Sequence, residues 1–385
     1  QLNVPVYASN LTAHLVMDKL AEYEGLPKQI HVLQPGTPLQ LGKFTVESVR
    51  VSHSIPDATN LIIQTPLGSV YHGSDFKFDF TPVDGVMPQV GRIAVAGNSG
   101  IRLLLSDCLG SERKGYTPSE KSLEEMFERE ISACQGKFIV TTMSSNISRL
   151  RQACEAAIRH GRKIALLGRS IERNLTVARD LGYLKVPSSS FVNPKQIRRL
   201  PPQSVCVLAA GSQGQAGSAM ERLATGEHAD TNIVTGDKIV FSSDYIPGTE
   251  NATQSLIDTL SKLGATVIYS NITDALHVSG HGSRQDLLLM LALTRPQNII
   301  PIGGTYRHMV QYSYLAQSMG YRPEQILLPA HNQSIEIYSD KIKLGPTVEV
   351  RNVMVDGLGV GDVGHVVLRD RQVLAEEGIV VAVIQ

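Results

Sequence analysis

The chain has 385 residues, 36 Lys+Arg against 36 Asp+Glu, and 42% hydrophobic residues. That length leaves room for two or three domains, and the composition excludes a disordered or fibrous chain. A formal net charge of zero excludes a basic body that binds nucleic acid over its whole surface, so a nucleic-acid site here is a local groove.

In chain order, residues 1–7 read as a strand entering mid-domain, and no signal peptide opens the chain. A piece is therefore expected upstream of Gln1. Residues 44–51 carry Phe44, Thr45, Val46, Val49 and Val51, a content that favours a strand. Residues 61–65 and 69–72 read as a hairpin across Pro66-Leu67-Gly68, and 101–105 as a short buried strand ending in Ser106-Asp107. The texture changes near residue 117. Thr117-Pro118-Ser119-Glu120 has the spacing of a capping box with proline at the first helical position. Leu123, Met126, Phe127 and Ile131 follow at helical spacing.

Strands at 138–142, 163–167, 205–210, 239–242 and 266–270 then alternate with helices at 145–160, 171–181 and 252–263. This predicts a doubly wound parallel α/β insert over about 118–272, inside a different α/β domain. A helix at 284–293, a strand at 299–302, a helix at 308–319 and a strand at 326–329 complete the outer domain. From residue 350 the chain reads as a linker into a further strand-rich module, and 379–385 stops inside an apolar, strand-like run. The expected parts are 1–117, 118–272, 273–345 and 346–385. No run approaches the roughly 18 apolar residues of a membrane span. Cys108, Cys134, Cys154 and Cys206 lack CxxC spacing, which predicts reduced, mostly buried thiols in a cytoplasmic protein.

Five places carry possible chemistry. His53, in His53-Ser54-Ile55-Pro56-Asp57, follows a strand, which fixes the direction of a potential zinc-binding imidazole. Asp75, in Gly73-Ser74-Asp75-Phe76-Lys77-Phe78-Asp79, has a carboxylate that can bridge two divalent ions. Asp107 ends a strand, where α/β sites gather, and can hold and polarise a histidine. Each of the three, taken alone, reads more readily as a structural histidine or a turn aspartate. His277-Val278-Ser279-Gly280-His281-Gly282 is more loaded. Two histidines flank a Ser-Gly turn before a helix whose free N–H groups can hold phosphate, and an imidazole there can donate a proton to a leaving oxygen. Gly211-Ser212-Gln213-Gly214, between strand and helix, is either a phosphate cradle or a plain tight turn.

The order of these segments resembles the ribonuclease J family of metallo-β-lactamase/β-CASP nucleases over nearly the whole chain. Ser106-Asp107-Cys108-Leu109-Gly110-Ser111-Glu112, Gly115-Tyr116-Thr117-Pro118-Ser119-Glu120, Gly168-Arg169-Ser170, Ile246-Pro247-Gly248 and the segment 355–364 add to the match. The resemblance implies a metallo-β-lactamase αββα sandwich carrying an inserted β-CASP domain. It implies two zinc ions, RNA as substrate attacked from the 5′ end and internally, and a homodimer or homotetramer. His53 would then bind one zinc and Asp75 bridge both. Asp107 would pair with His281, which assists at the scissile phosphate, and His277, Ser279 and Gly280 would contact RNA phosphates.

The chain departs from the family pattern in several places. The HxHxDH cluster that supplies further ligands is absent and belongs shortly upstream of Gln1. In Pro301-Ile302-Gly303-Gly304-Thr305-Tyr306, Gly303 stands where the family has a metal-binding histidine. Ser74 replaces a usual glycine and Ser148 a common histidine. The chain as written is therefore expected to hold zinc weakly and to be inactive. A catalytically degenerate RNA-binding or oligomer-forming paralogue stands as the alternative, and a DNA-processing or small-ester hydrolase fits the extent of the match less well.

Overall fold

The computed structural model describes residues 4–21, 29–246, 248–270, 272, 276–350, 355–356, 359–360, 369–370, 373–374 and 378. The expectations for residues 1–3 and 379–385, and most of the segment 355–364, lie outside them. Two compact units are present, residues 1–328 and 329–385.

The first unit opens with β1 (Val6–Ala8), α1 (Asn10–Leu20), β2 (Ile30–Val32), β3 (Leu39–Leu41), β4 (Phe44–Arg50), β5 (Thr59–Thr65), β6 (Gly68–Gly73), α2 (Val90–Asn98) and β7 (Ile101–Asp107). A one-turn 3-10 segment, Glu120–Leu123, leads into α3 (Glu124–Ser132). Then come β8 (Phe138–Thr141), α4 (Ile147–Arg159), β9 (Lys163–Leu167), α5 (Arg169–Asp180), β10 (Val205–Ala209), α6 (Ala219–Ala224), β11 (Lys238–Phe241), α7 (Glu250–Lys262) and β12 (Thr266–Ile268). The chain returns through α8 (Arg284–Thr294), β13 (Asn298–Ile302) and α9 (Tyr306–Ser318).

Two sheets organise this unit. One has the order β13-β7-β6-β5-β4-β3 and the other β12-β11-β8-β10-β9. In the second, every pairing is parallel. Alternate residues of its strands feed two separate cores, as a period of two demands. Phe138, Val140, Cys206 and Leu208 pack with Leu150, Ala153 and Ile171 from α4 and α5. Ile139, Val207, Ile239 and Phe241 face Leu223, Leu256 and Leu260 from α6 and α7. Helices on both faces make this the doubly wound insert expected from the sequence. The first sheet packs Val49, Ile62, Tyr71, Ile101 and Leu104 against Ile93, Leu287, Leu291 and Tyr312.

Some elements differ from expectation. Helices α1 and α2 lie in the stretch read as strand-rich. Thr117 is not a helix cap. Its N–H donates to Asp286 and its hydroxyl to the His281 carbonyl, so the cap passes to Ser119, whose Oγ accepts from the Lys121 N–H. The expected strand at 326–329 reduces to one parallel bridge, Ile299 with Ile326, because Pro329 has no N–H to extend a ladder. All four cysteines are free and buried. Among the described residues, no helix is long and apolar enough to cross a membrane.

In the second unit, β14 (Gln333–Ile337) and β15 (Ile342–Thr347) form an antiparallel pair. Val355–Asp356 pairs with Gly359–Val360 in the same sense.

Leu208 is fully buried on β10, an inner strand of the insert's sheet. Leu208→Ala is expected to cost about 2–5 kcal/mol, the usual penalty for a buried leucine and the cavity it leaves. Urea unfolding followed by far-UV circular dichroism measures it.

Candidate metal centre

One edge of the six-stranded sheet gathers the polar residues. Strands β6, β7 and β13 are mutually parallel neighbours. Asp75 lies two residues beyond β6, Asp107 ends β7, and Gly303 follows β13. Strand β4 runs in the same direction, two antiparallel steps away, so His53 beyond it reaches the same edge. Carboxyl ends of parallel strands are where an α/β sheet leaves space for a ligand. Within described residues, ligand atoms of His53, Asp75 and His281 all lie within 4.8 Å of one another. His53 Nε2 is 3.8 Å from Asp75 Oδ2.

Backbone and carboxylate partners orient both imidazoles. His53 Nδ1–H donates to the Gly280 carbonyl at 2.8 Å, which leaves Nε2 with a lone pair facing Asp75. A Cβ on Gly280 would stand 2.5 Å from the His53 ring, so only glycine lets the loop approach that closely. His281 Nδ1–H donates to Asp107 Oδ2 at 2.7 Å, and Asp107 is fully buried. Its other oxygen accepts from the Leu109 N–H. Burial lowers the His53 pKa against the Gly280 hydrogen bond, with the nearby His281 adding to the decrease. Burial also opposes charge on His281, but the bond to Asp107, its charge and that of Asp75 outweigh it and raise the His281 pKa. The two rings meet edge to face at 5.0 Å.

The loop bearing these groups is anchored by buried charge. Arg149 on α4 has a side chain 1% exposed. It donates to Glu120 at 2.5 and 3.3 Å, the Ser242 carbonyl at 2.7 Å, the Val278 carbonyl at 2.8 Å and His277 Nδ1 at 2.9 Å. An arginine only donates, so His277 accepts at Nδ1 and carries its proton on Nε2. That nitrogen lies 3.2 Å from Asp244 Oδ2. Burial, with Arg149, Arg113 and Lys77 nearby, pushes the His277 pKa down to about 3. Asp286, buried at the start of α8, accepts from the backbones of Phe78, Thr117 and Ser283. It joins the segments on either side of the insert.

Residues 135–260 match the family model described as Ribonuclease J, beta-CASP domain, and 250–329 match the Zn-dependent metallo-hydrolase RNA specificity domain. The chain is 37% identical to Ribonuclease J2 of Bacillus subtilis (strain 168) over 385 residues, covering 100% of this chain and 69% of the relative. The chain belongs to the ribonuclease J family. Ribonuclease J of Thermus thermophilus is 39% identical over 381 residues, which span 98% of this chain and 66% of that protein. A crystal structure of a protein of unknown function from Enterococcus faecalis V583 shares the fold. Its TM-score is 0.58 and its identity 15%, over 85% of this chain and 74% of that one. As in the ribonuclease J family, the α/β fold is a metallo-β-lactamase domain with an inserted β-CASP domain.

His53, Asp75, Asp107, Ser279, Gly280 and His281 stand together at these strand ends, while His277 is held apart from them by Arg149 and Asp244. Ser279 Oγ accepts from the His281 N–H within the turn. Gly211, Ser212 and Gln213 lie apart from the cluster. Gly211 and Ser212 line a cavity of about 700 Å³ with Arg169, Arg173 and Arg222. The buried Gln213 donates to the Asp244 carbonyl and accepts from the Ile246 N–H and the Thr249 hydroxyl. Asp57 in the His53 motif ties loops together, accepting from Leu11 N–H, the Tyr183 hydroxyl and Ser9. The sequence reading missed Arg113, Arg149, Asp244 and Asp286. Only Asp286 carried a readable signal, the Ser283-x-x-Asp286 capping spacing, which the structure fulfils.

Histidine NMR titration of the metal-depleted chain tests these tautomers. His277 is expected to stay neutral from about pH 5 to 8, and His281 to titrate above the ordinary value of about 6.5. Because its folded pKa is raised, His281 contributes stability that is fully present below its unfolded pKa and is lost as pH rises through the folded value. Asp107→Asn is expected to lower the His281 pKa and remove that contribution.

Proposed function

We propose that this chain is the larger part of a zinc-dependent RNA phosphodiester hydrolase, acting from the 5′ end and also internally, in cytoplasmic RNA decay and processing. The observation that carries the reading is the convergence of His53, Asp75 and the Asp107–His281 pair on one sheet edge. The expected parts, 1–117 with 273–345 for the metallo-β-lactamase domain, 118–272 for the β-CASP insert and 346–385 for the linker and start of a C-terminal module, belong to this reading.

The donors suit zinc. His53 offers a neutral Nε2 whose partner nitrogen is held by a carbonyl, the second-sphere arrangement typical of a ligating histidine, and Asp75 is open to solvent beside it. When bound, zinc would acidify a water and polarise a phosphoryl oxygen. Asp107 holds His281 so that its Nε2 faces the cluster, and the raised pKa keeps a proton there for the leaving oxygen. Ser279, Gly280 and the His277 N–H line the approach of the RNA backbone. Gly211 and Ser212, apart from the cluster, would form a separate backbone cradle with Arg169, Arg173 and Arg222, which the buried Gln213 would support from within. Assembly as a homodimer or homotetramer is part of the proposal.

A second ion lacks a donor. A Cβ on Gly303 would lie 3.4 Å from Asp107 Oδ1 and 3.8 Å from Asp75 Oδ1, so a side chain there would enter the cluster, and glycine brings none. Without HxHxDH, His53 and Asp75 are too few donors for a stable site, so this chain holds zinc weakly and is inactive. The same glycine favours the second reading, a catalytically degenerate RNA-binding or oligomer-forming paralogue.

Gly303→His separates the two. Gly303 has φ +74°, so the variant is expected to lose about 1–2 kcal/mol without metal. Zinc is expected to recover that loss, with more zinc retained after dialysis, and RNA decay is expected to rise when the variant is made in a full-length protein that carries HxHxDH. Stoichiometric zinc in the unaltered chain after dialysis would overturn the weak-site reading. Added stability in zinc without any RNA cleavage, in a full-length variant that carries HxHxDH, would favour the degenerate paralogue.

A further inference from the structure

Apart from the metal cluster, a cavity of about 700 Å³ opens in the insert at the carboxyl ends of β8, β9 and β10. Its walls are the turns that follow these strands, at residues 142–144, 168–170 and 210–212, with part of α6. Strand β8 pairs with β10, yet the helices that follow them leave on opposite faces. Helix α4 packs into one core with Leu150 and Ala153, and α6 into the other with Met220 and Leu223. Neighbouring strands whose connections part in this way leave a crevice between them, and doubly wound sheets hold nucleotides there.

The walls are fixed by the protein itself. Asn174 on α5 donates to the Ser144 carbonyl at 2.9 Å. The Ala210 N–H donates to the Leu167 carbonyl, and the Ala210 carbonyl accepts from the Met220 N–H. Gly211 has φ +112°, and a Cβ on it would lie 2.2 Å from Ser218 Oγ, so only glycine lets that turn close.

The charge of the crevice is one-sided. Arg169, Arg173 and Arg222 line it with serine and threonine hydroxyls, and no carboxylate lines it. Arg173 pairs with Asp18 at 2.9 Å. Among the described residues, the side chains of Arg169 and Arg222 have no ion-pair or hydrogen-bond partner. In a chain with as many acidic as basic residues, two unpaired cations around one cavity call for an anion from outside. The first turn of α5 adds to them. Its N-cap, Gly168, has no side chain to cap it, so its N–H groups are open to an anion.

The unpaired charges are gathered in one cavity, whereas an RNA backbone brings single charges spaced along a strand. Adjoining phosphates bring two or three charges to one place. The cavity also exceeds what phosphates alone fill. It lies in the range of whole small-molecule sites, roughly 300–1,000 Å³, and the exposed Met143 gives it an apolar wall. We propose that this crevice binds a nucleoside diphosphate, with its phosphates on Arg169, Arg222 and the first turn of α5. The proposal goes beyond the RNA reading and does not rest on it. A nucleotide seated there occupies the Gly211–Ser212 cradle and closes it to an RNA backbone.

The test reads binding, so it does not depend on turnover. The full chain in EDTA is titrated calorimetrically with ADP, AMP, inorganic pyrophosphate and a 5′-hydroxyl pentanucleotide RNA. ADP is expected to bind one to one, about tenfold more tightly than AMP, the scale of one charged hydrogen bond, and more tightly than pyrophosphate. Arg169→Gln and Arg222→Gln, both at exposed positions, are each expected to weaken ADP about tenfold with an unchanged far-UV circular dichroism spectrum. His281→Ala is expected to leave ADP binding as it was. ADP that fails to saturate at millimolar concentration, or that binds both arginine variants as well as the unaltered chain, overturns the proposal. Loss of ADP binding in His281→Ala places the nucleotide at the metal cluster and overturns it too. Pyrophosphate bound as tightly as ADP overturns the nucleoside assignment. RNA binding that falls in the arginine variants as far as ADP binding does returns the crevice to the RNA backbone and overturns the proposal. Failure to bind RNA, with ADP bound as expected, counts against the RNA reading alone.

Discussion

The guanidinium of Arg149 lies in a side chain 1% exposed, and every one of its N–H groups has an acceptor. Burying a cation costs several kcal/mol unless it is paired and fully hydrogen-bonded. Here Glu120 supplies the charge, while Ser242 and Val278 supply carbonyls. These partners come from three places in the chain, so the desolvation is offset only when the Glu120–Leu123 segment, the end of β11 and the His277–Gly282 loop are all assembled against α4. The insert and the loop of the candidate site therefore share one constraint. The same contact chooses the tautomer of His277 and hence the direction of its only N–H.

Around that anchor, the site is built from strand ends and carbonyls more than from charge. The chain is neutral overall, and the cluster of His53, Asp75, Asp107 and His281 is compact. Asp107 and the Gly280 carbonyl aim one imidazole each, leaving both outer nitrogens turned to the same space. Beside it, Arg113 and Asp244 balance about the neutral ring of His277.

Much of the fold was legible. The parallel insert announces itself through β-branched runs such as Phe138–Thr141 and amphipathic helices such as Ile147–Arg159, because period two and period 3.6 leave different marks. Helices α1 and α2 were not legible. Only Leu11 and Ala13 of α1 are buried, and α2 contains two glycines, so neither carries a strong helical stripe. Thr117 misled because its capping spacing is real but its donors find better acceptors in Asp286 and the His281 carbonyl, which are distant in sequence.

Taken alone, the sequence determined the order of the motifs, the insert within an outer domain, and the residue types able to bind metal or move a proton. Those depend on local pattern and chemistry, which a linear chain displays. The tertiary structure decided which of those residues meet, which nitrogen of each histidine is free, and that Gly303 lies against two carboxylates. It also brought in Arg113, Arg149 and Asp244, whose importance comes only from contacts across 29 to 168 residues of chain. Hydrogen-bond direction and the cost of buried charge are properties of neighbours in space, and no spacing along the chain records them.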